Sequence, residues 1–230
     1  MVDISTSPNW LARSIGSAAI TPAVLLGLVG LTLCSIDRQL LLAGMDNRWL
    51  VIFASLLAVA AGCAALSWVR PQRAGLSPPH VMLSLGFGGM LVGLLVDLSG
   101  AGPAQLGSLC QQSAALSAWQ SFLLHVQYLP GMNLGMLAGG LLAIPSLRLL
   151  RSHCGRYLCS LLMQNLMCSG WMLLGMTLGA VWLVRLQLAL GAPTLAAMLG
   201  GMFVGMTWGM VLSVALYRSY FLLRNHRKGP

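Results

Sequence analysis

The chain reads as an all-α integral membrane protein, a six-transmembrane-helix bundle with both termini in the cytoplasm (N-in/C-in). Three observations predict this. Of 230 residues, 57% are hydrophobic and only 7% charged, against about 25% charged in an ordinary soluble domain. So few charges cannot cover a surface that faces water. Apolar stretches near the roughly 20 residues needed to cross the hydrocarbon core recur along the chain. The basic residues fall between those stretches, mostly on one side.

The first stretch covers about 18–36 and stops at Asp37-Arg38. The second, 49–69, stops at Arg70-Pro71. The third, 81–98, follows the Pro78-Pro79 breaker and precedes a Gly- and Pro-containing loop. The fourth covers 119–147, the fifth 157–184 and the sixth 194–217. Prolines lie mostly between spans, where a helix must end anyway, but Pro130 and Pro145 fall within the fourth. The six spans form a single membrane domain over 1–230. Positions 1–17 are polar, with Pro8 and Arg13, and no small-residue cleavage site follows the first span. That span is therefore expected to be a retained helix rather than a signal peptide.

Placing the N-terminus inside puts Arg13, Arg70, Arg73, Arg148, Arg151, Arg156, Arg218, Arg224, Arg227 and Lys228 on the cytoplasmic side. Arg38, Arg48 and Arg185 remain outside, a bias that sets this orientation. Trp49, Trp119 and Trp182 then mark outer span ends, and Trp68, Tyr157 and Tyr217 inner ones, where amphipathic rings settle.

The same residues exclude several functions. A net charge of +9 on a soluble domain would suggest nucleic acid, but basic residues placed between spans serve topology and lipid headgroups instead. Glutamate is absent, and the acids are Asp3, Asp37, Asp46 and Asp97, too scattered for paired-carboxylate catalysis. Cys34, Cys63, Cys110, Cys154, Cys159 and Cys168 form no disulfide framework and read as ordinary thiols. No glycine-rich phosphate loop with an adjacent lysine occurs. A membrane enzyme using His125 and Asp97 as a base pair on a lipid-like substrate ranks last among the readings, because it lacks a nucleophile or metal site.

Four spans share a local pattern. The third carries Gly89-Met90 and Gly93. The fourth carries Gly131-Met132, Gly135-Met136 and Gly139. The fifth has Met172, Gly175-Met176 and Gly179, and the sixth has Gly201-Met202, Gly205-Met206 and Gly209-Met210. A spacing of four places residues on one helix face, so glycines make one ridge and methionines the ridge beside it. The glycine ridges predict close backbone packing between helices. The methionines fit two roles. They can fill irregular gaps, or their soft, neutral thioethers can bind a soft cation such as Cu(I). Counted from each span end, Met90, Met132, Met136, Met172, Met202 and Met206 fall near mid-span, which predicts a methionine layer close to the bilayer midplane.

Polar groups inside a membrane are costly and mark candidate sites. His125 lies about two turns into the fourth span, with Tyr128 and Met132 on its face. Asp97, near the outer end of the third span, is expected within reach of it. Asn133, Gln164 and Asn165 are expected to hydrogen-bond between helices, with Asn133 also covering carbonyls freed by Pro130. Thr177 and Thr207 are expected to bond within their own helices.

The expected metal site therefore comprises Met132, Met136, Met172, Met176, Met202, Met206 and His125, with Asp97 and Tyr128 at its entrance and copper as the metal. The competing expectation is a non-catalytic subunit or assembly factor of a larger membrane complex. Expected partners are the lipid bilayer and other membrane subunits or further copies of the chain, not nucleic acid. The expected location is a bacterial cytoplasmic membrane.

Overall fold

A computed structural model describes residues 22–35, 48–69, 78–101, 108, 112, 115–150, 158–190 and 195–226. Within them the chain is helical, with no strand. The helices are α1 (Pro22–Ser35), α2 (Arg48–Val69), α3 (Pro78–Ala101), α4 (Ala118–Tyr128), α5 (Pro130–Leu150), α6 (Leu158–Leu190) and α7 (Leu195–His226). Four of them, α2, α3, α6 and α7, are long and apolar enough to cross a membrane, and a fifth span results if α4 and α5 count as one. The large apolar residues that remain exposed on them, such as Phe53, Leu57, Val92 and Leu178, suit contact with a lipid bilayer. Asp3, Asp37, Asp46, Cys110 and Cys154, and the basic residues Arg13, Arg38, Arg70, Arg73, Arg151, Arg156, Arg227 and Lys228, lie outside the described residues.

Two pairs of antiparallel helices organise the bundle, α3 with α5 and α6 with α7. Each is closed by facing glycines. A Cβ added to Gly89 would overlap the Gly135 carbonyl, one on Gly93 the Gly131 carbonyl, and one on Gly139 the Leu85 carbonyl. In the second pair the same relations hold between Gly175 and Gly205, Gly179 and Gly201, and Gly209 and Trp171. Glycine is needed at each position because the partner's backbone occupies the space of a side chain. Backbones this close gain dispersion and Cα–H···O contacts, the terms that hold helices together in lipid.

The two pairs are copies of one hairpin. Gly89-Met90 and Gly93 correspond to Gly175-Met176 and Gly179. Gly131-Met132, Gly135-Met136 and Gly139 correspond to Gly201-Met202, Gly205-Met206 and Gly209. Helix α7 is the centre of the whole: 78% of its span is buried, against 39–44% for the other three long helices. Helix α2 covers its far side, with Gly62 against the Thr207 side chain and Trp208 Nε1 donating to the Ala58 carbonyl at 3.2 Å. Helix α1, shorter than a span, buries Leu25, Val29 and Leu33 and lies with Gly30 near Leu56.

The stretch at 119–147 is not one straight helix. Helices α4 and α5 meet at 91°. Leu129 leaves helical geometry at φ −125°, ψ 54°, as the residue before a proline does. Pro130 then opens α5, where its missing N–H costs nothing. The continuous fourth span expected from hydropathy therefore breaks one third of the way along. Pro145 sits inside α5 without ending it.

Candidate functional site

The methionine side chains turn inward. Met90, Met132, Met202, Met206 and Met210 are 0% exposed, and Met136, Met172 and Met176 are 1% exposed. All belong to one apolar core. Three of them, each from a different helix, approach a single point. An added Cβ on Gly86 of α3 would lie 2.9 Å from Met172 Cε of α6, 3.8 Å from Met206 Cε of α7 and 4.0 Å from Met136 Cγ of α5. Gly86 is a recess into which methionines from both hairpins project. Phe87 and Phe203 stand beside it, their ring centroids 4.9 Å apart. Met132, Met176 and Met202 lie in the same core.

Asp97 has backbone partners that the sequence did not announce. Its Oδ1 accepts from Gly131 N at 2.9 Å and its Oδ2 from Met132 N at 2.7 Å. The carboxylate from α3 thus caps the start of α5, where unpaired N–H groups and the helix dipole favour a negative charge.

His125 belongs to α4, whose buried face is Ser121, His125 and Leu129. A capping box between Ser117 and Gln120 starts this helix. Arg185 of α6 pins that start by donating to the Leu116 carbonyl at 2.6 Å. His125 is 3% exposed. Its Nδ1 lies 2.6 Å from the Ser121 carbonyl oxygen, and its Nε2 is buried with no hydrogen-bond partner among the described residues. Tyr128, expected on the same face, is 43% exposed, because the break at Leu129 follows it at once.

Asn133, 7% exposed, reaches back across the break. Its Nδ2 donates to the Leu129 carbonyl at 2.8 Å and to the His125 carbonyl at 3.1 Å, so it covers the carbonyls that end α4. Its Oδ1 is buried with no hydrogen-bond partner among the described residues. Asn165 of α6 donates to the Gly140 carbonyl of α5 at 2.9 Å and ties one hairpin to the other. Thr177 and Thr207 bond to the carbonyls of Leu173 and Phe203 within their own helices.

Reading the sequence left two features out. His80 is 1% exposed; its position in the first turn of α3, after Pro78-Pro79, was the available signal. The Cys168 Sγ to Ser213 Oγ contact at 3.2 Å links α6 to α7, and no local pattern announces it. Among the described residues, no group of three or more His, Cys, Asp or Glu could hold a metal. Comparison with protein-family models, curated proteins and solved structures finds no match.

Proposed function

We propose that this chain handles a soft monovalent metal ion, Cu(I), inside a membrane, as a permease, channel or delivery factor. The observation that carries the reading is the approach of Met136, Met172 and Met206 to the recess at Gly86. Thioether sulfur suits Cu(I) and needs no deprotonation, so it can serve in a low-dielectric core without burying an anion. Met132, Met176 and Met202 extend the thioether lining. The orientation assigned by the basic residues, with both termini cytoplasmic, puts Asp97 and His125 toward the outer face of a bacterial cytoplasmic membrane. Six spans follow on this reading if the segment containing α1 crosses as well.

The test replaces Met136, Met172 and Met206 together with Leu. Met to Leu conserves volume and usually costs under about 1.5 kcal/mol each, so the protein should still fold. Copper accumulation by cells expressing the triple variant should fall to that of cells lacking the protein. Accumulation equal to wild type rejects the reading.

A second reading, a non-catalytic subunit or assembly factor of a larger membrane complex, is favoured by the closeness of the same packing. The methionines share one core with Phe87, Phe203 and Leu83, and thioethers fill irregular gaps well. Under it the triple variant behaves as wild type. Partner chains then purify with the protein in mild detergent, and recovery of this chain alone rejects it.

A further inference from the structure

The joint between α4 and α5 contains two buried polar atoms with no hydrogen-bond partner among the described residues, and their chemistry can be deduced. A carbonyl oxygen only accepts, so the His125 Nδ1 beside the Ser121 carbonyl carries the ring proton. In the neutral imidazole Nε2 is then a bare lone pair. The alternative, an imidazolium, would bury a charge whose second N–H has no acceptor. The same logic orients Asn133. Its nitrogen faces two carbonyl oxygens, so the orphaned atom is the amide oxygen, again an acceptor. Both orphans therefore lack a partner of the same kind, a hydrogen-bond donor or a cation.

Charge points the same way. Asp97 brings a carboxylate to the first residues of α5, next in sequence to Asn133. The nearby cation Arg185 is turned to Leu116, roughly two and a half helical turns before His125. One negative charge and two lone pairs are balanced by a monovalent cation, whereas a divalent ion would leave an excess charge in a buried place.

A structural role alone does not account for these atoms. The second hairpin builds the same glycine contacts with Leu183, Leu195 and Phe203 where the first has Asp97, His125 and Asn133. Polar residues at these three places are thus not required to close a hairpin of this kind. The break explains why Asp97 and the Asn133 nitrogen are used, since they cap its two helix ends. It leaves the Asn133 oxygen and the His125 Nε2 unexplained.

We infer that the α4–α5 joint is a second cation site, in which His125 Nε2 is the ligand, Asn133 Oδ1 adds a lone pair, and Asp97 supplies the compensating charge. Imidazole nitrogen favours a transition-metal cation over an alkali ion, so the occupant is a monovalent ion of the Cu(I) class. The metal's identity rests on the methionine reading, but the site's existence does not.

The test uses the full chain in lipid nanodiscs, labelled with 15N in histidine rings and 13C in methionine methyls, and titrated with Ag(I) as a redox-inert stand-in for Cu(I). The His125 ring signals are assigned with His125→Phe, and independently by removing the other three histidines. Before metal, Nε2 should carry no proton. On adding Ag(I), its resonance should shift and saturate, and Asn133→Leu should weaken that saturation by roughly tenfold. Cysteine binding of Ag(I) does not register in these signals. A shift in the Met136, Met172 and Met206 methyls with a still His125 ring overturns the joint site alone. A shifted His125 ring with still methyls upholds it and overturns the methionine site. No shift in either overturns both, as a protonated Nε2 before metal overturns the joint site.

Discussion

The two hairpins are built on one plan and differ at one place. In the second, α7 starts at Leu195 and runs straight through the glycine contacts at Gly201, Gly205 and Gly209. In the first, the corresponding stretch is cut at Leu129-Pro130 and turned through 91°. Gly200 stands where the first hairpin has Pro130. A proline removes one N–H and crowds the carbonyl four residues earlier, so the broken helix needs new partners for the groups it frees. Asp97 takes the N–H groups of Gly131 and Met132, and the Asn133 side chain adds a second donor to the carbonyls of His125 and Leu129, which also accept from the Leu129 and Asn133 amides. Leu183 and Phe203 occupy those places in the second hairpin, where the same backbone groups lie inside a helix and need nothing. The lesson is that polar residues in a membrane core follow from a break in the backbone ladder, and that orphaned atoms left after the break is repaired are what merit a functional reading.

The shared plan meets its hardest test at the glycines. Gly135→Leu and Gly205→Leu each place a side chain where a partner backbone lies. Both should lower stability by about 3 kcal/mol or more, measured by thermal unfolding in detergent. A large loss at one and none at the other would break the equivalence of the hairpins. Next in size is Leu183→Asp, which copies Asp97 into the second hairpin. With no free helix N-terminus to cap, it sets an unpaired charge at a half-buried position in an apolar span and should destabilise by about 2 kcal/mol, seen in the same assay. Asp97→Ala should cost about 1–2 kcal/mol by leaving two amides uncapped, and Asn133→Phe, which copies the second hairpin, a similar amount. The smallest effect belongs to Met132→Leu and Met202→Leu at corresponding places. Each should cost under about 1.5 kcal/mol, and the two losses should match.

Much of this was open to a reading of residues. The ridges at Gly131, Gly135 and Gly139 and at Gly201, Gly205 and Gly209 follow from a spacing of four, a property of each helix alone. The inward turn of the neighbouring methionines follows from the same period. The bend at Pro130 was partly legible, since the proline was visible, but hydropathy runs smoothly across it and suggested one long span. The partner of Asp97 was not legible. His125 and the start of α5 are both within a plausible reach of it, and only the register between α3 and α5 selects the helix end.

Sequence by itself determined the class of the molecule, helices in a lipid solvent, and which face of each helix is glycine and which methionine, because composition and period are local and survive without any partner. Tertiary structure alone decided that four ridges join as two equivalent hairpins, that Met136, Met172 and Met206 approach Gly86, and that His125 and Asn133 each keep one atom without a partner among the described residues. Those outcomes depend on the register between helices far apart in the chain, and long-range register is set by the contacts of the folded whole.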